Sequence, residues 1–261
     1  MPPVVLTIAG SDNSCGAGAQ ADLKTITALG GYAQTAITCV VAEVPGRVTS
    51  IQAITPRIVA EQIRLSFQAF PVAAIKTGML YSAPVIAAVA DELDKLRKLP
   101  PVVVDPVMVA SSGDPLLKKS AIAAYETLLF PRAALVTPNL DELCILSGRP
   151  CRNLEEMRSA GREMFEKFGV PFLLKGGHLK TKVAVDILVS RAGCEEFHMD
   201  FLRGADTHGT GCTFSAAIAT GLAYGLPLTA SVAQAKAYVT EAIATRFLWK
   251  KTSALNHSAR V

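Results

Sequence analysis

Val4-Val5-Leu6-Thr7-Ile8-Ala9-Gly10-Ser11-Asp12-Asn13-Ser14-Cys15-Gly16-Ala17-Gly18 is an apolar, β-rich run that breaks into a glycine-rich loop, and a helical stretch follows through about Leu29. A continuous apolar run reads as a strand buried on both faces, and the glycines as a strand-to-helix turn. The same unit recurs. Ala36–Ala42 is the next strand candidate, and Pro56–Phe70 is a helix with Ile58, Val59, Ile63 and Phe67 on one face. Ala74–Lys76 leads into Thr77-Gly78-Met79, ahead of a helix from about Ala83 to Lys98. Val102-Val103-Val104-Asp105, Ala134–Thr137 and Phe172–Lys175 are short strands closed by Pro or Gly. Helices near Leu140–Leu146 and Leu154–Phe168 lie between the last two. Val183–Ser190 and Glu195–Met199 read as a hairpin or pair, and helices at about Gly211–Tyr224 and Leu228–Trp249 follow. Apolar strands alternating with amphipathic helices predict an α/β fold, one domain over residues 1–261 with a mostly parallel sheet covered on both faces. In such sheets ligands bind beyond the carboxyl ends of the strands.

Composition narrows the function classes. Half of the 261 residues are hydrophobic and 18% are charged, enough for a deep core and too apolar for disorder. The net charge of +4 is carried without any run of five like charges. Lys95-Leu96-Arg97-Lys98 and Lys250-Lys251 read as helix ends or tails, so no nucleic-acid partner is expected. No stretch approaches 18 apolar residues, and Met1-Pro2-Pro3-Val4 carries no basic leader, so neither a membrane span nor a signal peptide is expected. Six cysteines without a Cys-x-x-Cys pair read as reduced thiols of a cytoplasmic protein, with no zinc site or disulfide framework.

Asp206-Thr207-His208-Gly209-Thr210-Gly211-Cys212-Thr213, followed at once by the helical Phe214-Ser215-Ala216-Ala217-Ile218, is the strongest local feature. Small residues admit a ligand close to the backbone, and a new helix points unpaired N–H groups and its positive end at whatever sits there. Phosphate is the default anion for such a device; the alternative is a turn that merely starts a helix. Cys212 lies in the first turn of that helix, where its thiol pKa could fall below about 8.5 and let it take a proton from a hydroxyl. The alternative is a small cysteine packed under the sheet. The loop from Gly10 to Gly18 lacks both the Lys-Ser/Thr of a P-loop and the Gly-x-Gly-x-x-Gly spacing, which leaves a flexible turn or a substrate cradle. Asp22 is an ordinary carboxylate of the helix after it. Asp105, Asn139 and Glu142 each follow a strand end and could hold Mg²⁺ directly or through waters. Equally, Asn139 can N-cap the next helix with Glu142 as its capping-box partner. Lys175, ahead of Gly176-Gly177-His178, could neutralise a phosphate. His178, His198 and His257 have no metal-like spacing.

Together these stretches resemble the hydroxymethylpyrimidine / phosphomethylpyrimidine kinases of thiamine biosynthesis, in the ribokinase-like superfamily. The resemblance rests on Leu6–Asp12, Gly16–Thr25, Lys76-Thr77-Gly78-Met79-Leu80, Val104-Asp105-Pro106-Val107-Met108-Val109, Thr137-Pro138-Asn139-Leu140, Lys175–His178 and Thr207–Thr213, in family order over roughly residues 4–245. It implies a ribokinase-like three-layer α/β/α fold, ATP and Mg²⁺ as cofactors, and γ-phosphoryl transfer to 4-amino-5-hydroxymethyl-2-methylpyrimidine and then to its monophosphate. It further implies an anion hole at Gly209–Cys212 formed with Gly211, and Cys212 in place of the Asp base of related sugar kinases. Lys175 would neutralise phosphate charge. Asn139, Thr207 and Thr210 would serve the ATP phosphates, and Asp105 and Glu142 the metal. Gly10, Asp22, Met79 and Val107 match positions that line the pyrimidine pocket. A homodimer is implied as well, and apolar positions on Ala36–Val41 could serve its seam or the core.

Three departures stand out. Cys15 occupies a usual Gly position, and Ser111-Ser112-Gly113 replaces the common Lys-Ser-Gly. Glu43 stands where a pyrimidine-reading Gln is expected. The rival readings are a pyridoxal or pyridoxine kinase of the same superfamily, a sugar kinase, and a catalytically silent ligand-binding homologue. Cys212 in place of Asp speaks against the sugar kinase, and the retained Lys175, Asn139, Glu142 and Gly209–Cys212 against the silent homologue.

Overall fold

A computed structural model describes residues 1–44, 46–108, 119–177, 179, 183–200, 208–250 and 252–258. Nine of its strands form one sheet: β1 (Val4–Asp12), β2 (Tyr32–Val44), β3 (Arg47–Ala53), β4 (Val72–Thr77), β5 (Val102–Val104), β6 (Leu135–Val136), β7 (Phe172–Leu174), β8 (Val183–Ser190) and β9 (Gly193–Asp200). Their order is β3-β2-β1-β4-β5-β6-β7-β8-β9. From β2 to β7 every neighbouring pair is parallel, and antiparallel strands extend both edges. Alternation along the strands sorts the core into two layers. Leu6, Ile8, Val102 and Val104 face α2 (Pro56–Ala69), α3 (Ala83–Asp94), α4 (Lys119–Ala124), α5 (Leu140–Ser147) and α6 (Leu154–Phe168). Val5, Val103, Leu135 and Leu173 face α1 (Gly18–Ala28), α7 (Thr210–Ala223) and α8 (Leu228–Ala244). Side chains of period two can serve both layers only because helices cover both faces.

The chain runs from β1 outward to β2 and β3, then returns to place β4 on the other side of β1. The crevice above the tips of β1 and β4 is therefore a topological switch point, where α/β sheets bind ligands. Gly10, Gly78 and Met79 lie there, with the Gly78 N–H donating to the Ile8 carbonyl.

Four local readings are corrected. The last helix ends at Ala244 rather than Trp249, and Phe247–Trp249 (β10) pairs antiparallel with Thr252–Ala254 (β11). The aromatic, β-favouring Phe247-Leu248-Trp249 run won over continued helix. Ile58 is exposed while Val59 and Ile63 are fully buried; one stripe of α2 meets the sheet, and Ile58 falls beside it. The third helix stops at Asp94, whose carboxylate receives the Arg132 guanidinium. The edge strand β3 left no apolar signal because most of its residues face solvent.

Candidate active site

The site is assembled on a contact between two glycine-rich turns. Gly209 caps α7 in the left-handed region at φ 80°. A methyl group on it would lie 1.7 Å from the Gly16 carbonyl oxygen, so the first loop rests directly on the turn before α7. Gly18 opens α1 at φ 58°, where a methyl would meet the Gly10 oxygen at 2.5 Å. Asp12 ties the two turns together. It accepts the Ser14 N–H at 2.6 Å and the Ala17 N–H at 2.8 Å, and His208 Nε2 lies 3.2 Å from it. Burial alone would raise its pKa, but His208, Ser14 and Ala17 together hold it down at about 2. Gly209→Ala combines strain at positive φ with a backbone collision. It is expected to destabilise the fold by about 3 kcal/mol or more and to abolish turnover, checked by denaturant unfolding and a kinase assay.

Lys175 follows β7 and bridges to Asn139, which follows β6. Its ammonium stands 2.8 Å from Asp105 Oδ1. A methyl on Gly211 would lie 3.1 Å from Lys175 Nζ, which puts the charge beside the first turn of α7. Desolvation would lower the Lys175 pKa, yet Asp105 and Glu142 outweigh it and hold the ammonium charged. Ser215, one turn into α7, donates to Asp105 Oδ2 at 3.2 Å. The Thr210 hydroxyl at the start of α7 is buried and finds no partner among the described residues. An orphaned donor, helix N–H groups and a lysine converge, as a phosphate chain requires. Asp186 supports this edge by accepting the Gly176 N–H at 2.9 Å and the Lys236 ammonium at 2.7 Å.

Asn139 and Glu142 form the capping box in full. One Glu142 oxygen accepts the Asn139 N–H at 2.8 Å and the other the Met108 N–H at 3.3 Å. Burial and the neighbouring Asp105 push its pKa up to about 7 despite Lys175 and those N–H groups. Asp105 also feels Lys76, itself paired with Asp22, so three buried carboxylates stand against two lysines and leave a local deficit of positive charge. That deficit fits Mg²⁺, and because the oxygens of Asp105 and Glu142 already have partners, the ion would be held through waters, as Mg²⁺ tolerates.

Cys212 is half-buried in the first turn of α7. The thiol does not have the lowered pKa foreseen from its position. Desolvation, with Asp22 and Asp105 adding to it, outweighs Lys76 and the Gly18 N–H and pushes the thiol up to about 11. It rests protonated. Asp22 is fully enclosed: Thr7 donates to it, and Lys76 Nζ lies 2.8 and 3.0 Å from its two oxygens. Lys76, equally enclosed, was missed as a functional candidate, although a lysine inside the apolar run of β4 was a visible signal.

Toward β2 the site is lined by Gly10, Cys39 and Met79. A methyl on Gly10 would meet Cys39 Sγ at 2.8 Å and Met79 Sδ at 3.8 Å. Val107, half-buried, follows β5 and donates its N–H to the Asp105 carbonyl. Glu43, near the end of β2, is half-buried, and ligand atoms of Glu43, Asp12 and His208 lie within 4.8 Å of one another. Desolvation and the Asp12 carboxylate raise the Glu43 pKa, with His208 opposing. Asp12 and His208 were also missed as neighbours of Glu43. Thr207, His178 and Ser111-Ser112-Gly113 lie outside the described residues.

With this geometry in place, comparison with known proteins is specific. A family model described as phosphomethylpyrimidine kinase matches residues 12–256. The thiamine biosynthesis bifunctional protein ThiED of Geobacter sulfurreducens is 46% identical over 239 residues, 92% of this chain and 49% of that protein; the chain thus spans about half of that relative's length. A hydroxymethylpyrimidine/phosphomethylpyrimidine kinase of Rhizobium meliloti is 43% identical over 244 residues, covering 93% of this chain and 91% of its own. Among solved structures, the pyridoxal kinase from Staphylococcus aureus in complex with AMP-PCP and pyridoxal superposes with a TM-score of 0.89 at 32% identity, covering 99% and 94% of the two chains. The fold is therefore the ribokinase-like one of these vitamin kinases, and the chain belongs to the phosphomethylpyrimidine kinase family.

Proposed function

We propose that this protein transfers the γ-phosphoryl group of ATP to the hydroxymethyl oxygen of 4-amino-5-hydroxymethyl-2-methylpyrimidine, and then to the phosphate of the monophosphate so formed. The observation that carries this reading is the convergence of Lys175, Cys212 and the first turn of α7 at the switch point. In the transfer the substrate O–H bond breaks and its proton goes to the Cys212 sulfur in the fraction of enzyme whose thiol has already released its own proton to solvent, a fraction that grows with pH. The new O–P bond forms as the bond between the γ-phosphorus and the ADP oxygen breaks. Negative charge spreads over the equatorial phosphoryl oxygens, where Lys175 and the N–H groups of Gly209–Cys212 lie ready without reorganising. Asn139, Thr207 and Thr210 serve the ATP phosphates. Asp105 and Glu142 would hold Mg²⁺ through waters, and the ion supplies further neutralisation of phosphate charge. Gly10, Met79, Val107 and Glu43 bound the ring. AMP-PCP bound to the Staphylococcus aureus relative supports ATP as the donor. ATP consumption measured over pyrimidine, pyridoxal and ribose substrates tests the whole reading.

A second reading, a pyridoxal-type alcohol as substrate, is supported by the likeness to the Staphylococcus aureus pyridoxal kinase in complex with AMP-PCP and pyridoxal, and the acidic residue at position 43 bears on the choice. Desolvation and the Asp12 carboxylate both favour the protonated form of Glu43, so of these two neighbouring carboxyl groups Glu43 takes up a proton first as pH falls. A protonated Glu43 donates to Asp12 and leaves one oxygen to accept from an exocyclic amino group. Glu43→Gln is expected to retain or improve kcat/KM for the hydroxymethylpyrimidine. It should also flatten the pH dependence over the range in which wild-type Glu43, its pKa raised by desolvation and Asp12, loses its proton. Measuring kcat/KM from pH 5 to 8 with pyrimidine and pyridoxal substrates checks both points; identical profiles and substrate ratios would remove Glu43 from the ring pocket.

Two coarser properties belong to the same proposal. No helix among the described residues is long and apolar enough to cross a membrane, and with its free cysteines this supports a cytoplasmic enzyme. Exposed Tyr32, Val40 and Val44 on β2 and Ile58 and Leu65 on α2 support a homodimer seam, whereas Ala36, Cys39 and Val41 belong to the core.

A further inference from the structure

We propose that Asp186 is a positioning residue for phosphoryl transfer: its side chain anchors the turn that aims Lys175 at the start of α7. The inference rests on the reading of Lys175 as the cation that meets the transferring phosphoryl group. It begins where the sheet ladder stops. β7 and β8 pair antiparallel through Phe172↔Val189, Leu173↔Leu188 and Leu174↔Ile187. One step further in that register Lys175 would face Asp186, and the ladder ends before it. The chain turns to its other neighbour instead. Lys175 donates its N–H to the Pro138 carbonyl at 2.9 Å and bridges in parallel to Asn139. Gly176 passes so close over β8 that a methyl on it would lie 2.0 Å from the Val185 carbonyl oxygen. Buried backbone that leaves a ladder needs other hydrogen-bond partners. Asp186 supplies one, its Oδ1 accepting the Gly176 N–H at 2.9 Å.

The backbone around Lys175 is thus held from both sides, by Pro138 after β6 and by Asp186 on β8. Its ammonium comes to rest 2.8 Å from Asp105 Oδ1, beside Gly211, where a methyl would lie 3.1 Å from Nζ. A second observation shows that the anchor is itself fixed. Lys236, from α8, donates to Asp186 Oδ2 at 2.7 Å and to the Ala184 carbonyl at 3.3 Å. Both members of this pair are buried. Such a pair adds little net stability, since apolar residues of similar volume often replace it without loss. What it provides is an ionised acceptor, stronger toward an N–H than a neutral one, locked in a single place. A shift of about 1 Å in a group that meets the transition state can cost about a hundredfold in rate, so the placement of Lys175 bears directly on turnover.

Two double variants separate this role from a merely structural one. Asp186→Ala/Lys236→Met removes both charges and the acceptor. Asp186→Asn/Lys236→Met removes both charges but keeps an oxygen for the Gly176 N–H. In the first, kcat for the hydroxymethylpyrimidine is expected to fall about tenfold to a hundredfold while KM for the alcohol moves less than about threefold. The second should recover most of that loss, which a need for the ion pair alone would not allow. The loss should also vanish in a Lys175→Ala background, where no ammonium remains to be aimed. A folded alanine variant with wild-type kcat overturns the proposal, as does an equally impaired asparagine variant or a loss that persists undiminished without Lys175. Should the alanine variant not fold, Asp186→Glu keeps the charge and displaces the acceptor by one methylene. The same fall in kcat, again absent without Lys175, is then expected, and wild-type kcat overturns the proposal. Normal kcat in Lys175→Ala alone would overturn the reading of Lys175, and the proposal with it.

Discussion

Replacing Cys212 by serine is expected to lower kcat by about two to four orders of magnitude, the range for removing a proton-accepting group. ATP affinity and the melting temperature should change little, because serine fills nearly the same space. The pH dependence carries the sharper signature. The thiol of the free enzyme is pushed up to about 11 by desolvation and its acidic neighbours. Below that value the thiolate fraction grows about tenfold per pH unit. Wild-type kcat/KM should therefore climb with pH from neutrality until the protein unfolds, and Cys212→Ser should lose that climb. Steady-state kinetics from pH 6.5 to 10 decide the matter. Near-normal turnover with an unchanged profile would leave Cys212 a packing residue.

Lys175→Ala is expected to reduce kcat by about 10²–10³, as when one preorganised group is removed from a developing anion. KM for the unphosphorylated alcohol should move much less, because the charge Lys175 meets is largest on the transferring phosphoryl group. The substitution also removes the cation that acts on both Asp105 and Glu142, leaving Asp105 only the influence of Lys76. Both carboxyl groups, already desolvated, should then take up protons at higher pH than before. The folded form will bind protons more tightly than the unfolded chain. Stability of Lys175→Ala is thus greatest below the ordinary carboxylate pKa and declines as pH rises through the raised values, relative to wild type. Lys175→Gln, which keeps the volume, should show the same kcat loss with a smaller loss of stability. A rise in KM for the alcohol alone, at unchanged kcat, would assign Lys175 to substrate binding instead.

What the sequence determined by itself was set by local and periodic chemistry. Continuous apolar strands followed by glycine or proline turns and amphipathic helices specify a parallel sheet covered on both faces, and the positions just after β1, β5, β6 and β7 are where the site lies. The capping box at Asn139 and Glu142 was also legible, because its donors and acceptors are three residues apart. Tertiary structure decided the electrostatics. Whether Cys212 is acidic or basic depends on desolvation and on charged groups far away in sequence, and that burial overrode the helix-end effect expected from its position. Lys76 looked like a strand lysine until α1 delivered Asp22 onto it across 54 residues. Glu43 could have faced solvent, and only the closure of the first loop on the Gly209 turn, with His208 meeting Asp12 across 196 residues, gave it a charged neighbourhood. Backbone pattern is written in neighbours along the chain; a side chain's charge state is set by which distant groups exclude water from it.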